Sequence, residues 1–292
     1  MLRAFAIIVL LFLNLAFWGT LVLLGGVVKL LTFGPLRWRI IRALPSLGEQ
    51  WVRCNDWIFD AFLSTRWEIE GLDALRRDGH YLVISNHVSW IDIFALFRAF
   101  LDRGPFIRFF LKQQLIWFPF AGQACWALGF PFMRRYSPEY LKQHPEKRGR
   151  DLETTRIACR RYRHVPVAIL NFVEGTRFSR EKHEDQQSPY RFLLRPRVGG
   201  ISFVLASLAE QLDSMYDVTL VYPRRDVTMW DFITNRVEFV KILARRIEVP
   251  DEFQSAAVTE KGEVRERFKE WVEQLWREKD EQIARVLLES KP

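Results

Sequence analysis

The sequence predicts an α/β protein: a single domain with a mixed sheet flanked by helices, preceded by an N-terminal membrane helix or a re-entrant helix pair. Three observations point there. Residues 81–85 and 167–173 are almost continuously apolar, as expected of strands covered on both faces. Helical patterns separate and follow them. The chain also opens on a long uncharged run, residues 4–28. The boundary falls near residue 65, giving a membrane segment with interfacial helices over 1–65 and the main domain over 66–292.

As a helix, the opening run would be roughly 37 Å long, enough to cross a hydrocarbon core of about 30 Å with some tilt. A cleaved signal peptide fits less well, because the apolar region is too long and no small-x-small site follows. Lys29, Arg37, Arg39 and Arg42 lie beyond the run, against Arg3 before it, so the positive-inside bias puts the main domain in the cytoplasm. Gly25-Gly26 and Gly34-Pro35 offer places to break the run into a re-entrant pair. Residues 33–65 mix Trp38, Trp51 and Trp57 with arginines, which predicts one or two interfacial helices.

Residues 67–70 alternate like a short strand before Gly71, and residues 81–85 form the next. The polar string Asn86-His87-Val88-Ser89-Trp90-Ile91-Asp92 follows, then residues 93–97 begin a helix. Residues 106–133 are aromatic-rich and broken by Gly122, Gly129 and Pro131, which suits core or the wall of a long apolar pocket ending at Arg134-Arg135. Residues 138–163 read as helical after a cap at Ser137, split at Pro145. The second buried strand, 167–173, ends on Glu174-Gly175-Thr176-Arg177. Beyond it come a helix over 197–212, a strand over 218–222 closed by Pro223, one or two strands over 236–249, and an amphipathic surface helix in the tail.

Composition narrows the partners. The 292 residues carry 43 Lys+Arg against 35 Asp+Glu, a formal charge of +8, and basic pairs recur at 134–135, 147–148, 160–161, 224–225 and 245–246. Such pairs suit phosphates or are simply solvated faces. They are scattered along a membrane-held chain, so nucleic acid is not the expected partner. Cys54, Cys125 and Cys159 form no disulfide or zinc spacing, which points to a reducing compartment. Cys125, among Trp126, Ala127 and Leu128, reads as a small buried hydrophobe.

Two buried strands that each end in a chemically equipped turn define one crevice at the carboxyl edge of the sheet. Five residues apart across such a turn, Asp92 can accept from one imidazole nitrogen of His87 and leave the other free to take a proton from a bound hydroxyl. A histidine that only caps the turn is the alternative. In the second turn Arg177 offers a planar fork for phosphate, Thr176 a hydroxyl, and Gly175 a backbone that admits close approach. Glu174 either meets the substrate or braces Arg177.

Asn86-His87-x4-Asp92 together with Phe172-Val173-Glu174-Gly175-Thr176-Arg177 resembles the glycerolipid acyltransferase family, which includes the bacterial 1-acylglycerol-3-phosphate acyltransferases. The family's middle block resembles residues 112–119 with Gly122, and its Gly-x-x-Phe-x-x-Arg element matches Gly129, Phe132 and Arg135. Residues 110–115 and 171–175 look most like an inner-membrane subgroup of proteobacterial acyltransferases. Val173 stands where Pro is common, Arg134 where an Asp often precedes the motif arginine, and the last family block survives only as residues 218–223. These departures bear on the acceptor headgroup more than on the reaction.

The resemblance implies transfer of a fatty acyl group from acyl-CoA or acyl-carrier protein to the hydroxyl of 1-acylglycerol 3-phosphate (lysophosphatidic acid). His87 would be the general base and Asp92 its orienter. Glu174, Gly175, Thr176, Arg177, Lys112 and Arg135 would bind the substrate, with no metal and no bound cofactor. It also implies membrane lipids as surroundings and an inner-membrane location. Two other readings stand: an acyltransferase for another lysophospholipid or an amino-acid lipid, and a non-catalytic, membrane-anchored lipid-binding protein.

Overall fold

A computed structural model of the protein describes residues 1–133, 165–208, 211–260 and 262–289, with Gln143, Ile157 and Tyr162. The chain opens on a helical hairpin, α1 (Leu2–Leu31) and α2 (Gly34–Phe62). Gly25-Gly26 does not interrupt α1. The break falls at Thr32-Phe33, just before Gly34-Pro35, and divides the segment into a pair of helices. The stretch read as one or two interfacial helices is a single helix, α2, with Pro45 inside it.

The hairpin is antiparallel: Asn14 Nδ2 donates to Trp51 O (3.0 Å) and to Asn55 Oδ1 (2.8 Å), while Gly25 faces Leu44. Asn14 interrupts the apolar run and would be costly in hydrocarbon without these partners. α2 is tied to the main domain by ion pairs, Arg53 to Asp102 at 2.5 Å and Glu49 to Arg77 at 2.6 Å. α1 also packs on α4 (Ala121–Ala127), where Lys29 Nζ donates to Ala127 O at 2.6 Å.

The sheet has six strands: β1 (Arg66–Glu70), β2 (His80–Ser85), β3 (Ile107–Phe109), β6 (Val167–Phe172), β7 (Ser214–Val221) and β8 (Phe239–Ile247). Their order is β1-β8-β7-β2-β6-β3. β2 lies parallel to both β6 and β7, with Ser85 opposite Phe172 on one side and Val218 on the other. The β7–β8 pair is antiparallel, which makes the sheet mixed. A separate two-stranded ribbon joins β4 (Leu111–Lys112) to β5 (Phe132–Met133). The predicted strands over 67–70, 81–85, 167–173 and 218–222 correspond to β1, β2, β6 and β7, and 236–249 contains one strand, β8.

Both faces of the sheet are covered, which explains the unbroken apolar runs. Tyr81 and Val83 of β2 face a core shared with α1, α2 and α3 (Ile91–Phe100). Leu82 and Ile84 face the opposite core, with α6 (Gly199–Leu208) and the tail helix α8 (Glu263–Glu289). The tail helix is therefore more than a surface element: Phe268, Val272 and Trp276 are wholly buried. Lys279 is buried with them, paired with Asp217 of β7 at 2.5 Å and donating to Val218 O at 2.7 Å.

Two short helices complete the site side: α5 (Arg180–Asp185), capped by Ser179, and α7 (Met229–Ile233), whose Thr228 and Asp231 form a capping box. The helix expected over 138–163 lies outside the described residues apart from its isolated positions. Cys125 is largely enclosed and burial pushes its thiol up to about 12, in keeping with an inert small hydrophobe.

Candidate active site

Strands β6, β2 and β7 end side by side, and each contributes to one hydrogen-bonded frame. β2 ends at Ser85, and the next residue, Asn86, is buried and locked to β7: its Nδ2 donates to Leu220 O (3.0 Å) and its Oδ1 accepts from Leu220 N (2.9 Å). The chain then turns into α3. Asp92 lies in the first turn of that helix, where the helix dipole favours a carboxylate.

The His87 Nδ1 to Asp92 Oδ2 distance is 2.7 Å. Oδ2 also accepts from the backbone N–H groups of Val88 (2.6 Å) and Ser89 (3.0 Å). The other oxygen, Oδ1, accepts from the Tyr222 hydroxyl at 2.6 Å. Asp92 is wholly buried, so four donors replace the water that its charge would otherwise need. An acceptor at Nδ1 fixes the neutral imidazole as the Nδ1–H tautomer and leaves the Nε2 lone pair free. The His87 ring stacks on Phe172, with centroids 3.9 Å apart and planes 12° from parallel. Its side chain remains 15% exposed, open on one side to a ligand.

The second turn is fastened to the first. Glu174 is buried, and its Oε2 accepts from His87 N (2.9 Å) while Oε1 accepts from Leu194 N (3.0 Å). Burial pushes its carboxyl up to about 8, against the opposing pull of those two N–H donors. Both oxygens are spent on backbone, so Glu174 neither braces Arg177 nor opens onto the crevice. Phe178 N donates to His87 O at 2.8 Å, closing the loop between the turns. Gly175 has φ +68°, a left-handed conformation that a side chain would strain.

Arg177 is exposed and lies over the Trp90 ring, 4.6 Å from its centroid. Lys182, which sequence reasoning passed over, donates to Thr176 Oγ1 (2.8 Å) and Arg177 O (3.1 Å). The signal for it was its place just after the cap at Ser179. A cavity of about 410 Å³ is lined by Val88, Trp90, Arg177, Lys182, Thr228 and Met229, among others. One frame thus unites His87, Asp92, Glu174, Gly175, Thr176 and Arg177. Lys112 is exposed on β4 and stands outside it, and its side chain makes no hydrogen bond or ion pair among the described residues. Arg135 lies outside the described residues.

A buried carboxylate holding one edge of an imidazole, beside a cationic cavity, is chemistry suited to removing a proton from a hydroxyl next to an anionic group. Residues 66–222, more than half of the chain, match the acyltransferase family model. The chain belongs to that family and is an acyltransferase, which sets aside the non-catalytic reading.

Lysocardiolipin acyltransferase 1 of Danio rerio is 23% identical over 91% of this chain and 67% of its own length. The 1-acyl-sn-glycerol-3-phosphate acyltransferase 3 of Arabidopsis thaliana is 25% identical over 56% of this chain and 45% of its own. The solved 1-acyl-sn-glycerophosphate (LPA) acyltransferase, PlsC, from Thermotoga maritima has the same fold. It superposes with a TM-score of 0.59 at 15% identity, covering 100% of this chain and 96% of that one.

Proposed function

We propose that this acyltransferase moves a fatty acyl group from acyl-CoA or acyl-carrier protein to the free hydroxyl of 1-acylglycerol 3-phosphate, giving phosphatidic acid for phospholipid synthesis or remodelling. The observation that carries the reading is the 2.7 Å contact between His87 Nδ1 and Asp92 Oδ2, which aims a basic Nε2 outward from the strand ends. Nε2 takes the acceptor's proton as its oxygen attacks the thioester carbonyl. A carbon–oxygen bond forms, the carbon–sulfur bond breaks, and the imidazolium returns the proton to the leaving thiolate. Asp92 supports that imidazolium. The thioester is already activated, so the reaction as written needs no metal and no bound cofactor.

Arg177, with Thr176 and Lys182, holds the acceptor phosphate near His87, where positioning supplies much of the rate. One observation favours a second acceptor. The relative named for lysocardiolipin is similar over a larger share of the chain than the one named for 1-acyl-sn-glycerol 3-phosphate. A lysophospholipid with a larger headgroup is that reading.

The hairpin is the membrane anchor, with the main domain on the cytoplasmic side of the inner membrane. α1 is the one helix among the described residues long and apolar enough to span. The ion pairs of Glu49 and Arg53 lie level with its middle, between Leu44 and Asn55 of α2. Charges at that depth favour a hairpin embedded in one leaflet over a helix that crosses both.

Membranes carrying wild-type protein are given acyl-CoA or acyl-carrier protein with a panel of lysolipid acceptors. His87→Ala is expected to abolish transfer while leaving expression and membrane recovery intact. Full transfer by that variant would overturn the base assignment, and indifference to a phosphomonoester headgroup would overturn the lysophosphatidate assignment.

A further inference from the structure

We infer that Tyr222 is a positioning residue for acyl transfer, acting on His87 through Asp92; the inference rests on the assignment of His87 as general base. Tyr222 follows β7, 130 positions along the chain from Asp92, and its hydroxyl donates to Asp92 Oδ1 at 2.6 Å. Oδ2, the oxygen that faces His87, has its own donors in the imidazole and two backbone N–H groups. Tyr222 therefore occupies the one carboxylate oxygen that the histidine turn does not. It fixes the carboxylate's rotation, so that Oδ2 stays aimed at Nδ1, and it draws part of the negative charge towards Oδ1.

The placement excludes a direct role. Tyr222 is 3% exposed, and burial beside the Asp92 carboxylate holds its phenol well above the ordinary value. It remains a donor throughout the working pH range and is no acid or base itself. Asn86 fastens Leu220, two residues earlier, to the start of the histidine turn. The tyrosine and the turn are thus held in one register rather than meeting by chance packing. The ionisable groups facing Asp92 are His87 from the turn after β2, Tyr222 from the end of β7 and Glu174 from the turn after β6, which Lys279 of α8 acts on in turn.

The sign of the effect follows from the bond. A hydrogen bond to the carboxylate is strongest while Asp92 bears its full charge, and it weakens when His87 gains a proton and shares that charge. Tyr222 therefore lowers the affinity of the His87–Asp92 pair for a proton, and removing its hydroxyl raises it.

The test is the pH profile of kcat/KM for purified full-length protein in lysolipid–detergent micelles. In Tyr222→Phe, kcat is expected to fall roughly 10- to 100-fold, the loss typical of one bond to a charged group. KM for both substrates should hold, and the acidic limb should move to higher pH. A merely structural role would scale activity at every pH and leave the limb in place. Replacing Tyr222 with 3-fluorotyrosine, a stronger donor of nearly the same size, should move the limb to lower pH and keeps the test open if the phenylalanine variant does not fold. Adding Tyr222→Phe to Asp92→Asn should cost nothing further, because the path runs through Asp92.

An unmoved limb in both Tyr222 replacements, or additive losses in the double variant, would overturn the inference. His87→Ala, assayed alongside, separates the two claims. An inactive His87→Ala beside an unshifted Tyr222→Phe refutes the positioning role alone. An active His87→Ala refutes the base assignment on which that role depends.

Discussion

Glu174→Gln isolates the brace between the two turns. The substitution keeps the shape of the side chain but leaves one oxygen to serve two buried N–H groups, those of His87 and Leu194. One is orphaned, a cost of about 1–3 kcal/mol. The wild-type residue carries an opposite liability. Burial lifts its carboxyl from 4.5 to about 8, so between those values the folded protein holds a proton that the unfolded chain releases.

The stability this group contributes is therefore complete below about pH 4.5 and is lost as pH rises towards 8. At about 1.4 kcal/mol per unit, the loss is of order 5 kcal/mol. Glutamine does not titrate. The advantage of wild type over Glu174→Gln should thus be largest near pH 5 and should shrink or reverse by pH 9, changing the gap in Tm by roughly 10 °C. Scanning fluorimetry of both proteins in detergent from pH 5 to 9 reads this directly, since other groups cancel in the difference. A gap that stays flat would refute the claim that Glu174 is held protonated by burial.

Two further outcomes concern the frame around the site. Gly71 has φ +81° and a Cβ there would sit 1.8 Å from Ala244 O, so Gly71→Ala should destabilise the β1–β8 edge by more than about 2 kcal/mol, visible as a lowered urea midpoint. Lys279→Met leaves the buried Asp217 without its 2.5 Å partner. Loss of about 3–5 kcal/mol is expected, and an unchanged Tm would show that Arg245, 3.1 Å from the same carboxylate, suffices alone.

The sequence makes some of this legible and hides the rest for physical reasons. β2 and β6 lie in the middle of the sheet, buried on both faces, so their runs are apolar without alternation and stand out. The contact between His87 and Asp92 spans one turn, so spacing alone can suggest it. Tyr222 and Glu174 reach their partners because β6, β2 and β7 are neighbours, and strand order is not written in any local pattern. The buried Lys279 was disguised among the many charges of the tail, although it lies on that helix's apolar side. The length of α1 was readable, whereas its pairing with α2 through Asn14 and Asn55 was not.

The placing of β2 between two later strands also sets a timetable. The turn bearing His87 leaves the ribosome early, yet its fastenings lie 87 residues on at Glu174 and 134 on at Leu220. Contacts of such sequence separation form slowly. During synthesis, the helical hairpin is complete while β2 is still an unpaired strand. The site cannot close before β7 arrives to complete the pairing of β2 and to bring Tyr222 to Asp92, so a chain cut short before β7 should lack it.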